Sequence, residues 1–192
     1  MKFISDFLFS CVIWLSSVGE GEIGPSRRMT EDMESFCSVI GVGFQRIELK
    51  NKKSLETTLD ELIFNAKKIG MKPILHFDMH GSKDAGLFIS NSNEYASWSW
   101  LAEKFRELNI AMENNLCVIC AACFGIRAIM PIKLDSEAPF FLLLAPEDEV
   151  QIGFLEDNIV DFYRCLFDSG SIDTAYSRYL SDQFKYFHCE KM

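Results

Sequence analysis

The sequence predicts a three-layer α/β fold with a mostly parallel central sheet, helices on both faces and a small β-hairpin insertion. Short apolar runs, typical of buried strands, alternate with longer segments in which apolar residues recur at helical spacing. Strands that are separated by helices pair in parallel, because the crossover returns the chain to the same end of the sheet. The 192 residues suit one domain, and with 48% hydrophobic residues they can bury a sizeable core.

The first half of the chain predicts the order strand, helix, strand, helix, strand. Strands are expected at residues 7–16, 43–49 and 72–79, and GEGEIGPS, residues 19–26, predicts a loop after the first strand. Apolar residues at helical spacing mark the first helix: Met29, Met33, Phe36, Cys37 and Ile40. The second helix, with Ser54 as its expected N-cap and Gly70 at its end, is marked in the same way by Leu55, Leu59, Leu62, Ile63, Ala66 and Ile69.

The second half predicts a hairpin, a helix, two further strands and two final helices. Residues 86–97 have the turn residues of a small hairpin, and Ser97 is the expected N-cap of the next helix. The tryptophans of SWSW, residues 97–100, are expected in the core rather than on a substrate platform. Residues 115–123 and 140–145 predict buried strands. The final helices are marked by Ile159, Phe162, Tyr163 and Leu166, and then by Ile172, Ala175, Tyr176 and Tyr179.

Charge and cysteine content argue against several classes of protein. A net charge of −9 argues against a nucleic-acid-binding protein, which needs a basic surface. Seven cysteines, three of them within residues 117–123, form a poor disulfide framework and favour a reducing, cytoplasmic location. The opening apolar run is too short to cross a bilayer, so no membrane partner is expected. A signal peptide is the weaker interpretation of that run, because Asp6 interrupts its flank and no A-x-A site follows.

Two predicted strands end at reactive side chains that glycine follows closely. ILHFDMHGS, residues 74–82, contains His80 and Gly81, and LCVICAACFG, residues 116–125, contains Cys123. Because active sites of open α/β sheets form at the carboxyl ends of the strands, the two side chains are expected to meet there. A cysteine thiolate attacks a carbonyl while a nearby histidine takes up and returns the proton.

The backbone of the same two strand ends offers candidate donors for the oxyanion that forms in such a reaction. The N–H groups of Gly81 and Cys123 are these donors, because a glycine lets the substrate approach the main chain closely. A small core cysteine and a hydrogen-bonded structural histidine are the plainer alternative for the same pattern.

The motifs HFDMHGS, SWSWLAEKFRELNI and LCVICAACFG, in this order and at this spacing, resemble the CHAT branch of the caspase-like (clan CD) cysteine peptidases. NIVDFYRCLFDSGSIDTAYSRYL is also similar to that branch, and the resemblance runs from about residue 7 to about residue 180. It implies a single caspase-like peptidase domain over residues 1–192 that needs no cofactor. His80 would be its general base and acid, Cys123 its nucleophile, and the N–H groups of Gly81 and Cys123 its oxyanion hole.

The chain departs from the family around the nucleophile. Ala121-Ala122-Cys123 stands where the family often has Ser-Ala-Cys, and Gly125 follows the cysteine after one residue rather than two. Related metacaspases bind basic side chains through an acid two residues before the nucleophile. Ala121 stands at that position, so this route to a preference for Arg or Lys is absent.

The resemblance implies an endopeptidase that cleaves a partner protein. Family members are frequently effectors in bacterial antiviral defence that a sensor switches on. The sequence shows no recognisable sensor or repeat domain, so a separate activating protein is expected. The alternative from a different class is a catalytically silent caspase-like scaffold that binds a partner protein, which the departures around Cys123 and the surplus thiols favour.

Two other polar residues lie near the first strand end. His76 falls within the strand and no glycine follows it, so it is expected to be a core histidine. Asp78 shares the face of His76 and His80, because side chains two apart on a strand point the same way. Asp78 is expected to pack or cap nearby rather than to orient the imidazole of His80.

Thiols and acids near the second strand end allow two further interpretations. The C-x2-C spacings of Cys117, Cys120 and Cys123 suggest a metal site, but a strand points the middle thiol away from the other two, so no metal is expected. The acidic stretch APEDEV, residues 145–150, follows the fifth strand, whose loop commonly lines the substrate pocket in caspase-like enzymes. Its acids would select Arg or Lys through charge-assisted hydrogen bonds: Glu147, Asp148 and Glu149.

Overall fold

The computed structural model describes residues 2–4, 7–132 and 136–189, and it confirms the predicted three-layer α/β fold with a caspase-like arrangement. The strands in chain order are β1 (Lys2–Ile4), β2 (Phe7–Phe9), β3 (Cys11–Ser17), β4 (Gly43–Glu48), β5 (Pro73–Ser82), β6 (Gly86–Ile89), β7 (Glu94–Ala96), β8 (Cys117–Ala121), β9 (Leu142–Pro146) and β10 (Phe184–His188). The α-helices are α1 (Ile23–Ile40), α2 (Lys52–Ile69), α3 (Trp98–Ala111), α4 (Ile152–Ser169) and α5 (Ile172–Tyr179).

The central sheet has the strand order β10-β9-β8-β5-β3-β4. Neighbouring strands from β9 to β4 pair in parallel, and β10 is antiparallel to β9. The predicted hairpin is also present, since β6 pairs antiparallel with both the end of β5 and β7. The carboxyl ends of the parallel strands therefore lie at one edge of the sheet, with the hairpin beside them.

Side chains of the central strands β3, β5, β8 and β9 alternate between two apolar cores, one on each face of the sheet. Helices α2 and α3 cover one face, against Phe77 of β5 and Val118 of β8. Helices α1, α4 and α5 cover the other face, against Ile74 of β5 and Ile119 of β8. Because both faces are covered, these strands are apolar throughout, as buried parallel strands are. Even-numbered residues of β5 and odd-numbered residues of β8 consequently point towards α1, α4 and α5.

The first apolar run forms two strands rather than the single strand predicted over residues 7–16. Ser10 separates β2 from β3, and its backbone N–H donates to the carbonyl of Lys72 at 2.8 Å. The N–H of Lys72 donates in turn to the Ser10 hydroxyl at 3.0 Å. The break therefore ties the beginning of β3 to the segment before β5.

The predicted loop over residues 19–26 is wrong. A short 3₁₀ helix, Glu20–Glu22, leads directly into α1, which begins at Ile23. Pro25 is tolerated there, because the N–H groups of the first helical turn have no intrahelical acceptor. The early start of α1 brings its first turn close to the carboxyl ends of the strands.

Helix caps explain where the helices on the other face begin and end. The predicted N-cap Ser54 is the third residue of α2, and Asn51 is the cap. The two form a capping box, in which the side chain of Asn51 accepts from Ser54 N at 2.8 Å and Ser54 Oγ accepts from Asn51 N at 3.1 Å. Ser97 caps α3, as predicted, and Gly70 ends α2 in the left-handed conformation that suits glycine.

The end of the described chain contains a strand that the sequence did not predict. The two final helices are confirmed as α4 and α5, and β10 then returns beside β9, with Phe184 opposite Pro146 and His188 opposite Leu142. Among the helices in the described parts of the chain, none combines the length and the apolar character needed to cross a membrane.

His76 lies in the core, as predicted. Its ring stacks on that of Trp14 with centroids 3.5 Å apart, and its Nδ1 lies 3.2 Å from the hydroxyl oxygen of Tyr163. Burial lowers the pKa of His76 from 6.5 to about 3, because the charged imidazolium would lose its hydration there. The ring is therefore neutral at physiological pH and serves the packing of β3, β5 and α4.

We expect the variant His76→Phe to lose part of the wild type's sensitivity to acid. The unfolded chain takes up a proton on His76 near pH 6.5 and the folded chain only near pH 3, so stability falls as the pH drops between these values. The contribution is about 1.4 kcal/mol for each pH unit. Urea unfolding near pH 7 and about pH 5 measures it. If the unfolding free energies of the wild type and of His76→Phe change by the same amount between the two pH values, that result would contradict a neutral, buried imidazole.

Candidate active site

The parallel pairing of β5 and β8 brings the two predicted catalytic residues to neighbouring strand ends. Asp78 lies opposite Ala121 in the last paired position, and His80 and Cys123 each follow that pair by two residues. Both residues line one cleft with Glu22, which precedes α1, and Leu155 of α4. The registers of β5 with β3 and with β8 end at Met79 and Asp78, and from His80 onwards β5 pairs with β6.

His80 and Cys123 line the same cleft at the carboxyl edge of the sheet. The floor of this cleft is formed by the ends of β5 and β8, and its wall by the beginning of α4 and the segment before α1. The side chain of His80 is 42% exposed and Cys123 is half-buried, so both reactive groups are accessible from solvent. The structure therefore brings together the pair that the sequence singled out.

Gly81 lets the end of β5 touch the backbone of Cys123. A Cβ at position 81 would lie only 1.9 Å from the carbonyl oxygen of Cys123 and 3.3 Å from its nitrogen. Any larger residue would push the two strand ends apart, because both contacting atoms belong to the main chain. The proposed oxyanion donors, the N–H groups of Gly81 and Cys123, thus belong to two segments in direct contact.

A tight turn follows Cys123 and accounts for the spacing of one residue between Cys123 and Gly125. Phe124 has a φ of 59°, in the left-handed region, and a five-residue 3₁₀ helix, Gly125–Ile129, begins after it. A Cβ at Gly125 would lie 2.8 Å from the sulfur of Cys120, so the turn packs directly on the preceding strand. The departure from the family spacing thus coincides with a close approach that requires glycine.

The loop after β9 contacts Cys123 and the turn that follows it. The N–H of Val150 donates to the sulfur of Cys123 at 3.4 Å, and the N–H of Phe124 donates to the carbonyl of Asp148 at 3.0 Å. Val150 also lines the cleft, together with Leu155 of α4. The loop therefore covers one side of the sulfur and fixes the conformation of the turn.

The three acids predicted to bind substrate lie in this loop, and all are exposed. Glu147 and Asp148 line a second cleft beside Phe124, which Lys83 and Arg127 also line. Glu149 does not line that cleft. The carboxylate of Glu147 lies 3.5 Å from Nζ of Lys185 on β10.

Sequence reasoning missed one carboxylate in the cleft that His80 and Cys123 line. Oε2 of Glu22 lies 2.8 Å from Nε2 of His80, and the Glu22 side chain is 31% exposed. Glu22 belongs to the stretch GEGEIGPS, in which Glu20 has the same side chain but is exposed. The two acids differ only in where the start of α1 places them, so no local pattern distinguishes Glu22.

Asp78 packs nearby, as predicted, and does not bind the imidazole of His80. Its Oδ2 accepts hydrogen bonds from the hydroxyl of Ser26 in α1 and from Nε1 of Trp14 in β3. Burial raises the pKa of Asp78, and the two donors oppose that rise. Asp78 therefore connects the first turn of α1 with the sheet just below the site.

The cysteines of β8 are divided between the two faces of the sheet. Cys117 packs in the core under α1 and α4, and Cys120 in the core under α2 and α3. Burial raises the pKa of the Cys120 thiol to about 12, which leaves it protonated at neutral pH. Within residues 2–4, 7–132 and 136–189, no group of three or more His, Cys, Asp or Glu side chains is placed to hold a metal ion.

The sequence was compared with protein-family models and with curated proteins. No protein-family model matches the chain, and no curated protein matches it either. The residues of the cleft and the arrangement of the sheet are therefore the basis for assigning a function.

We expect Gly81→Ala to disrupt the site and Gly19→Ala to preserve the fold. The added Cβ would meet the carbonyl of Cys123 at 1.9 Å in the first variant, but nothing closer than 3.8 Å, Nε2 of His80, in the second. Gly81→Ala should lose about 1–3 kcal/mol of unfolding free energy in urea, as overpacked sites do. Equal stability of the two variants would contradict the close contact between the strand ends.

Proposed function

We propose that this protein is a cysteine endopeptidase of the CHAT/caspase-like type, which cleaves a partner protein with a Cys123–His80 dyad. The observation that carries the proposal is the common cleft of the thiol and the imidazole at the carboxyl edge of a caspase-like sheet. The sequence motifs that resemble the CHAT branch support it independently. Metal ligands and cofactors have no part in the proposed reaction.

The proposed reaction begins when His80 accepts the proton of the Cys123 thiol and the sulfur attacks the scissile carbonyl carbon. The carbonyl electron pair moves to the oxygen, where the N–H groups of Gly81 and Cys123 would stabilise the negative charge. His80 then passes its proton to the leaving amine as the C–N bond breaks. A water molecule, deprotonated by the same histidine, attacks the thioester and releases the acid and the thiol.

The loop that carries Val150 is where we propose that the activity is regulated. Its main chain lies against both the sulfur of Cys123 and the turn at Phe124. A separate activating protein that moves this loop would open the cleft to a peptide. Such a partner agrees with the effector role in cytoplasmic antiviral defence that the family resemblance suggests.

We expect iodoacetamide to label Cys123 faster than the other partly buried thiols. Burial raises the pKa of Cys11, and that of Cys189 to about 11, so both are poor nucleophiles at neutral pH. The variant His80→Ala should lose the rapid labelling, because no base remains beside the sulfur. Cys165→Ser removes another half-buried thiol and serves as the matched control. Mass spectrometry of tryptic peptides identifies the labelled residue.

Two outcomes of this experiment would favour the catalytically silent scaffold instead. One is an inert Cys123 in the wild type, and the other is equal labelling of all accessible thiols. Candidate partner proteins provide the second measurement. A partner that is cut by the wild type and the Cys165→Ser variant, but not by Cys123→Ala, is a substrate. A partner that binds all three without being cut supports the scaffold.

We expect a peptide library to show faster cleavage after Arg or Lys than after Leu or Asp. Glu147 and Asp148 line the cleft beside the turn at Phe124, where they can pair with a basic side chain. The double variant Glu147→Gln, Asp148→Asn should reduce the preference about three- to ten-fold, since exposed ion pairs are weak. Glu149→Gln, outside that cleft, is the control. Equal cleavage after Arg, Leu and Asp in the wild type would contradict this specificity.

A further inference from the structure

We infer that Glu22 is a positioning residue, which holds the imidazole of His80 through Nε2 and leaves Nδ1 to exchange the proton with Cys123. The inference deepens the proposed peptidase and depends on it for its catalytic consequence. Its basis is the 2.8 Å distance between Glu22 Oε2 and His80 Nε2 within the cleft that Cys123 also lines.

The packing of α1 on β5 positions the carboxylate of Glu22, because helix and strand are joined by two contacts at the same spacing. Ser26 in the first turn of α1 donates to Asp78, and Glu22 one turn earlier contacts His80. Four helical residues rise about 6 Å, and two strand residues rise about 6.6 Å, so the two contacts keep the same spacing. The buried pair of Ser26 and Asp78 thereby fixes the height at which Glu22 meets the imidazole.

The surroundings of Glu22 reduce its freedom to point elsewhere. Its backbone N–H donates to the carbonyl of Gly19 at 2.9 Å, which closes the short turn before α1. Gly19 itself passes beside the ring, since a Cβ there would lie 3.8 Å from His80 Nε2. The segment from Gly19 to Glu22 therefore covers the Nε2 side of the imidazole.

The chemistry of the contact decides which ring nitrogen is the base. An ionised carboxylate only accepts hydrogen bonds, so the nitrogen beside Glu22 must carry the proton. The other nitrogen, Nδ1, then has the lone pair that takes up the thiol proton. The negative charge of Glu22 also favours the imidazolium that forms when the thiol loses its proton. The titratable side chains lining the cleft with His80 are Glu22, Asp78 and Cys123.

The variant Glu22→Gln tests this role, with Glu20→Gln as its matched control. Both variants remove one negative charge from the same 3₁₀ helix, but Glu20 is exposed. We expect Glu22→Gln to slow the labelling of Cys123 by iodoacetamide about three- to ten-fold near neutral pH, because the imidazole is then no longer held in one orientation. Glu20→Gln should leave the rate unchanged.

The direction of the effect separates positioning from simple charge repulsion. Loss of a nearby negative charge would by itself favour the thiolate and speed the labelling. A decrease therefore requires that Glu22 act through His80, and the decrease should vanish in the His80→Asn background. Faster labelling of Cys123 in Glu22→Gln would overturn the inference. An equal decrease in labelling rate on adding Glu22→Gln to the wild type and to His80→Asn would overturn it as well.

Nitrogen NMR of the imidazole rings reads the contact without any peptidase activity. The chain has three histidines, so His80→Asn identifies the resonances of this ring. We expect the nitrogen shifts at neutral pH to place the ring proton on Nε2 of His80 in the wild type and in Glu20→Gln, and to show a mixture of both tautomers in Glu22→Gln. The same tautomer distribution in all three proteins would overturn the inference. An inert Cys123 together with a changed tautomer distribution in Glu22→Gln would count against the proposed peptidase but confirm the contact between the two side chains.

Discussion

The parallel pairing of β5 with β8 in a single register is the constraint on which the rest of the site depends. It places Asp78 opposite Ala121 and so brings the strand ends that bear His80 and Cys123 side by side, although the two residues are far apart in the sequence. A slip of one residue would turn one of these side chains to the other face of the sheet. The apolar cores on both faces prevent such a slip, because it would move every buried residue of the strand into the wrong core.

The helices and the hairpin hold the ends of these strands in place. Ser26 and Trp14 both donate to Asp78, which joins α1 and β3 to β5 immediately before His80. On the other side, Nε1 of Trp98 donates to the carbonyl of Ser82 at 3.0 Å and so ties the last residue of β5 to α3. The imidazole thus lies between two anchored points of the same strand. A rigid support of this kind is what a proton-transferring side chain requires.

The sequence was sufficient to predict the fold class and the common location of His80 and Cys123, because both depend on patterns along the chain. Buried parallel strands appear as apolar runs, and reactive groups at their ends stand out against them. The features that the sequence predicted wrongly or not at all have a different cause. The helical start of residues 19–26, the strand β10 and the contact of Glu22 with His80 are decided by tertiary packing. Asn51 and Ser54 each suit an N-cap, and the structure uses both in one capping box.

The distance between the Cys123 sulfur and the nearer ring nitrogen of His80 tests the account most directly. A crystal structure of the protein with a peptide-like inhibitor attached to the sulfur would measure it in the state that matters for proton transfer. We expect the two atoms on the same face of the sheet and within about 4 Å of each other. Side chains on opposite faces, or a separation above about 8 Å with the inhibitor bound, would contradict the dyad.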